Sequence, residues 1–279
     1  MLKNRLVTII GLPGIGKTAL AKNAVHYMAD RKLFKQGIVF LQLKGFVSLE
    51  LFMKKLVVNF VKTNFELEEE QKMQVENLDA LLSMSLAYLK QQDDNLLVVF
   101  DNVEDLLYYD KQAFRILIND LLIQAPSLHI LMTSRTTLGA LQDVSEKILV
   151  LNELSPFFTV ELFMSRAREI EDDEKKELLD VQIGSQVLVH DSKITCSQKI
   201  KNLAEHHFFK ILGGNPHAII LAAPILIKMR LKDLYLLLNS KEMHEVLKVD
   251  GIKDSTVASL RLSLEASIKV LQKEDQESL

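Results

Sequence analysis

Apolar residues in the first half of the chain come in short unbroken runs, at Leu6–Ile10, Ile38–Leu43, Leu96–Phe100, His129–Thr133 and Lys147–Leu151. A continuous β-rich run without in–out alternation reads as a strand buried on both faces, as in parallel sheets. Between these runs lie longer stretches that read as helices, at Thr18–Asp30, Leu49–Val61, Leu78–Gln91 and Lys111–Gln124. Strands separated by helices imply right-handed crossovers, so the pattern predicts an α/β fold with a doubly wound parallel sheet.

After Leu151 the strand signal nearly disappears. Ser155 stands as an N-cap before Pro156 at the first helical position. Helices are predicted at Ser197–Leu212, Pro216–Met229, Lys232–Leu238 and Val257–Leu271, the last with Val257, Leu260, Leu264, Ile268 and Leu271 at helical spacing. Glu169–Glu177 is a charged run, expected as a solvated helix end or loop. The pattern divides the chain into an α/β domain over 1–151 and a small all-helical domain over 152–254. There is no internal repeat.

Composition narrows the class. The chain has 279 residues, 48% hydrophobic and 25% charged, the balance of a globular protein with a substantial core. A formal charge of −3 argues against a generally nucleic-acid-binding surface and leaves room only for a local basic patch. The single cysteine, Cys196, forms no internal disulfide, and the adjacent His206 and His207 lack a cysteine pair at zinc spacing. The amino-terminal apolar stretch resembles a short signal peptide, but glycines and Pro13 interrupt it. Ala218–Ile227 is too short to span a bilayer and contains Pro224. The expectation is a cytoplasmic protein without a membrane partner.

Four features carry chemistry. "GLPGIGKT", Gly11 to Thr18, fits G-x-x-x-x-G-K-[ST] and sits between a strand run and a helix run. Such a loop turns backbone N–H groups onto phosphate oxygens, and its glycines permit the dihedrals and close approach this needs. Lys17 would place positive charge between the outer phosphates, Thr18 would ligate magnesium, and the helix beginning there adds its positive end. In "LLVVFDNVED", Asp101 ends a buried strand at the edge where α/β sheets bind ligands, and would hold Mg2+ directly or through water. In "ILMTSRTT", a further strand ends in hydroxyls and then Arg135, which could reach a terminal phosphate or simply be a solvated loop arginine. In "ILGGNPHAI", Gly213 or Gly214 would cap one helix while Pro216 starts the next. On the residues alone this last stretch is punctuation.

Together, "GLPGIGKT", "LLVVFDNVED", "LMTSRT", "LNELSPFFTVELF" and "LGGNPHAI" resemble, in this order, the motifs of STAND-class signal-transduction ATPases, specifically the NB-ARC domains of apoptotic adaptors and plant immune receptors. The resemblance runs from Leu6 to about Leu271. It implies a five-stranded sheet with the sensor strand between the phosphate-loop and Asp101 strands, covered by a helical domain. By the same resemblance, Pro216 contacts adenine, Arg135 senses the γ-phosphate, and the protein switches between ADP and ATP forms. The nucleotide contacts are then Gly11, Pro13, Gly14, Ile15, Gly16, Lys17, Thr18, Ala19, Arg135 and Pro216. Lys17, Asp101 and Arg135 carry any catalysis, and Thr18 and Asp101 hold the metal. The family's Gly-Arg segment upstream of the loop has no counterpart, since ten residues precede Gly11. Its Met-His-Asp motif is absent, and Met243–Glu245 lies too close after Pro216 to replace it. Residues 255–279 at most begin the family's winged-helix region, so the chain looks like a truncated core.

Many family members carry a second acid where this chain has Asn102, taken as the base that activates water. An amide orients water but does not accept its proton at neutral pH. Glu104 and Asp105 are near in sequence and offer a substitute. The expectation is therefore an adenine-nucleotide switch with slow Mg-dependent hydrolysis. The alternatives are a nucleotide-binding assembly module without hydrolysis and a phosphate-loop small-molecule kinase. Against the kinase, no substrate base or arginine-rich lid is evident. Against GTP, the Asn-Lys-x-Asp signature is missing. Protein partners, or self-association on ATP binding, follow from the resemblance.

Overall fold

The computed structural model describes residues 3–61, 83, 86, 89, 94–142, 144–175 and 203–239, with 59–61 described by backbone only. The chain divides into two compact units. One comprises Met1–Gly11 and Lys17–Leu151; the other comprises Leu12–Gly16 and Asn152–Leu279.

The first unit holds strands β1 (Leu6–Ile10), β2 (Gly37–Gln42), β3 (Leu96–Asp101), β4 (Leu128–Ser134) and β5 (Glu146–Val150). They form one five-stranded sheet in the order β2-β3-β4-β1-β5, with every neighbouring pair parallel. The strand ending in Ser134 therefore lies between the strand leading to Gly11 and the strand ending in Asp101, the order the resemblance implied. Helices α1 (Lys17–Asp30), α2 (Leu49–Val61) and α3 (Glu104–Gln124) are the described connections.

Strand parity sorts the core. Leu96, Val98 and Phe100 of β3 share one buried cluster with Ile130 and Met132 of β4, and with Phe52 of α2 and Phe114 of α3. Leu97, Val99 and Leu131 point the other way, into a cluster with Ala21 and Met28 of α1. Burial on both faces holds for β3 and β4 along their whole length and for most of β1. The two edge strands depart from that expectation. β2 is mostly half-buried, and Val150 of β5 is 63% exposed, because an edge strand has a neighbour on one side only.

Helix α3 starts earlier than the Lys111 expected from sequence. It contains a break at Asp110, where φ is −151° and ψ is 76°. The Asp110 carboxylate accepts a hydrogen bond from the Ala113 N–H at 2.9 Å, acting as a fresh cap for the second half. At the far end, the Arg5 guanidinium donates to the carbonyls of Leu122 and Ala125 at the helix end and of Leu128 at the start of β4. The predicted helix Leu78–Gln91 lies outside the described residues, apart from 83, 86 and 89, which are helical.

In the second unit, α4 (Pro156–Arg166) begins at Pro156 with Ser155 in the N-cap position, although the serine side chain makes no capping bond. The core gathers Phe163 of α4 against Phe208 and Phe209 at ring distances of 5.2 and 5.5 Å, with Leu212, Leu226 and Leu234 around them. Two predicted helices are broken. Residues 203–205 are helical, but His206 leaves the helix and caps α5 (His207–Ile211) by accepting from the Phe208 N–H at 3.1 Å. Pro216–Met229 splits into α6 (Pro216–Ala222) and a 3-10 turn, Ala223–Ile227. Pro224 has no N–H and its ring opposes a fourth-residue carbonyl, so the α-helix stops there. The last described helix is α7 (Leu231–Leu238).

The charged run is not wholly solvated. Glu174 is buried, pairs with Arg168 at 2.7 Å and accepts from the Leu231 N–H at the start of α7. Residues 176–177, Val257–Leu271 and Met243–Glu245 lie outside the described residues. Among the described residues, no helix is long and apolar enough to cross a membrane.

Candidate functional site

Parity places the acid. Asp101 follows Leu97 and Val99 on the α1 face of β3, and Thr133 follows Leu131 on the same face of β4. The first turn of α1 brings Thr18 to the same point. The Thr18 hydroxyl donates to Asp101 Oδ1 at 2.8 Å, and the Thr133 hydroxyl donates to the same oxygen at 2.5 Å. Asp101 is fully buried, and its second oxygen, Oδ2, has no hydrogen-bond partner among the described residues. A buried carboxylate oxygen without a donor fits a cation or a cation's water. The residues present therefore suit magnesium, with Thr18 and Asp101 as holders.

Lys17 is buried at 7% exposure and donates to the Gly11 carbonyl at 2.8 Å. Burial lowers its pKa from the usual lysine value; the Glu104 charge opposes this, Arg135 adds to it, and Asp101 opposes it. An anion at Lys17 would favour its charged form. Gly11, Lys17, Thr18 and Asp101 are thus brought together at the carboxyl ends of β1 and β3, beside Ala19 in α1. Pro13, Gly14, Ile15 and Gly16 are counted with Pro216 in the helical unit.

Asn102 has a conformational explanation that sequence reasoning missed. Its φ is +63°, in the left-handed region where asparagine is among the few tolerated non-glycine residues. Its N–H donates to the Thr133 hydroxyl oxygen at 2.9 Å, and the Val103 N–H to the Thr133 carbonyl at 3.1 Å. This turn delivers Glu104 to the first turn of α3. Glu104 Oε1 lies 3.4 Å from Arg135 Nε and 3.5 Å from Asn102 Nδ2, while Glu104 Oε2 is buried with no partner among the described residues. Arg135, 59% exposed, therefore has a carboxylate partner and is not merely a solvated loop residue. The hydroxyl of Thr133 was visible in the sequence only as one of several at a strand end. Its role needed the β3–β4 register.

The family model for the NACHT domain matches residues 5–170. The chain belongs to the NACHT family. NACHT domains are STAND-class nucleoside triphosphatase modules, so the class-level expectation holds for this NACHT chain, and it carries a nucleotide-binding phosphate-loop domain. No curated protein matches it. Among solved structures, this NACHT chain is similar to a Drosophila ORC structure bound to DNA, at 14% identity and TM-score 0.51, covering 89% of this chain and 61% of that one. It is also similar to the Walker-type ATPase PABY2304 of Pyrococcus abyssi, at 11% identity and TM-score 0.48, covering 99% and 71%. A third is the STAND protein PH0952 with a tetratricopeptide repeat sensor from Pyrococcus horikoshii, at 14% identity and TM-score 0.47, covering 93% and 37%. The NACHT chain thus spans well under half of the length of that last relative. The ORC likeness speaks for the fold alone.

Proposed function

We propose that this NACHT chain is an ATP/ADP-binding signal-transduction switch module that works in the NB-ARC manner, with slow Mg2+-dependent hydrolysis. The observation that carries the reading is the environment of Asp101: two hydroxyls hold one carboxylate oxygen, while the other is buried beside Lys17 and the phosphate loop with no partner among the described residues. That asymmetry suits an acid kept oriented toward a cation. Bound magnesium would supply charge neutralisation at the phosphate oxygens.

The chain's own residues do the rest. Lys17 takes the outer phosphates, and the Gly11–Thr18 backbone cradles them. Pro216 contacts adenine and Arg135 reaches the γ-phosphate, both carried over from the NB-ARC resemblance. Glu104, and not the Asn102 amide, orients the water, since one of its oxygens is buried with no partner among the described residues and the other pairs with Arg135. ATP binding then promotes association with protein partners or further copies of the chain in the cytoplasm.

Turnover of γ-labelled ATP, measured beside a Lys17→Ala control, tests the hydrolytic half. Turnover equal to the control would leave a binding module without hydrolysis. The copurifying nucleotide tests the binding half: ADP or ATP is expected, and GTP would sink the adenine assignment.

A further inference from the structure

The tip of the phosphate loop is bonded to the start of α6 by one side chain and one backbone N–H. Gly11 and Lys17, the loop's flanks, belong with the α/β unit, whereas Leu12–Gly16 are grouped with the helical one. Asn215, fully buried, is the N-cap of α6, and its Oδ1 accepts from the His217 N–H at 2.9 Å and the Ala218 N–H at 3.3 Å. The other end of the same amide, Nδ2, donates to the Pro13 carbonyl at 3.0 Å. The His217 N–H also reaches the Gly14 carbonyl, at 3.2 Å. The approach is close: Gly14 has φ +74°, and a Cβ there would lie 2.8 Å from His217 Cβ and 2.9 Å from Asn215 Oδ1.

Capping alone does not call for asparagine. Aspartate caps as well but has no donor, and serine is too short to span both jobs. Across a trans peptide the carbonyl and the following N–H point in opposite directions. Holding the Pro13 and Gly14 carbonyls on α6 therefore turns the Gly14 and Ile15 N–H groups away from that helix. The Ile15 N–H makes only a long bond, 3.4 Å, to the Leu12 carbonyl. A glycine-rich tip has many other conformations open to it, and selecting one in advance lowers the cost of binding.

We propose that Asn215 is a positioning residue for the phosphate loop, fixing the tip in the conformation whose N–H groups meet the phosphates, so that retention of a nucleoside diphosphate depends on α6. This rests on the nucleotide-binding reading above. The Asn215 amide acts on the ligand only through the Pro13 and Gly14 peptides.

The test is stopped-flow dissociation of N-methylanthraniloyl-ADP with Mg2+ from the wild-type chain, Asn215→Asp and Asn215→Ser. Aspartate keeps the cap and sets a second acceptor against the Pro13 carbonyl; serine keeps a weaker cap without added charge. Dissociation about tenfold faster in both variants is expected, the equivalent of one lost hydrogen bond. The urea midpoint of nucleotide-free Asn215→Ser should stay close to that of the wild type, since serine keeps the cap, whereas Asn215→Asp should lower it by burying an unmatched acceptor. Equal dissociation rates overturn the proposal while leaving the binding reading intact. Faster dissociation from Asn215→Ser that merely parallels a lowered urea midpoint also overturns it, because a structural cap would then suffice. A wild-type chain that retains no ADP overturns the nucleotide reading, and this proposal with it.

Discussion

Asn102 and Glu104 show at the residue scale how backbone geometry bears on the proposed chemistry. An amide beside Asp101 looks like a lost base when only the sequence is considered. At φ +63° it is a residue that the left-handed turn accepts, and the acid two positions on, Glu104, pairs with Arg135. Glu104→Gln should therefore lower ATP turnover by roughly 100-fold or more, the scale of losing a general base, with ADP affinity within a few-fold of wild type. Steady-state turnover and equilibrium binding of the variant check both parts. Asn102→Gly should fold and bind normally. Asn102→Val should cost about 1–2 kcal/mol of stability in urea melts, because a β-branched residue resists the left-handed region.

At the element scale, helix ends and breaks are set by single polar side chains. Asp110 restarts α3, Arg5 closes its far end, and Asn215 starts α6. Asp110→Ala should lose about 1 kcal/mol, the usual worth of an N-cap, measurable as a shifted urea midpoint without a change in slope. Glu174 links Arg168 to the first N–H of α7. Glu174→Ala removes the carboxylate from a half-buried guanidinium, which keeps only the Leu226 and Glu169 carbonyls among the described residues, and leaves the Leu231 N–H without its acceptor. A loss of about 2 kcal/mol is expected, with Glu174→Gln recovering part of it. Equal stability of the alanine variant and wild type would show that solvent replaces the pair.

Over the whole molecule, stability responds to pH and to ligand. His129 is buried at the start of β4, edge-on to Phe34 at 5.2 Å, with Nδ1 on the Ser127 carbonyl. Burial lowers its pKa; the Ser127 hydrogen bond opposes this, and the Arg5 charge adds to it. The unfolded chain takes up the proton first as pH falls, so this contribution to stability is complete above about pH 6.5 and is lost as pH drops toward the folded-state value. Urea melts at pH 7 and 5.5 should show that loss, and His129→Phe should flatten it. ADP with Mg2+ should in turn raise the unfolding free energy by about 2.7 kcal/mol at one hundred times its dissociation constant, and Lys17→Ala should abolish the gain.

The apolar runs by themselves determined a parallel α/β sheet followed by a helical half, because burial on both faces leaves few polar positions in a central strand. The spacing of Gly11, Gly16, Lys17 and Thr18 likewise declared a phosphate loop, since that geometry has few sequence solutions. Strand neighbours were out of reach of the residue pattern and came only from the family resemblance, and long-range side-chain partners came from neither. That β4 separates β1 from β3, and so sets Thr133 on Asp101, is a property of the sheet order. Pro13 and Asn215 stand 202 residues apart, and their bond exists only because the chain folds one onto the other. Local patterns record what a residue needs from its neighbours in sequence; which distant group satisfies a polar atom is decided by packing alone.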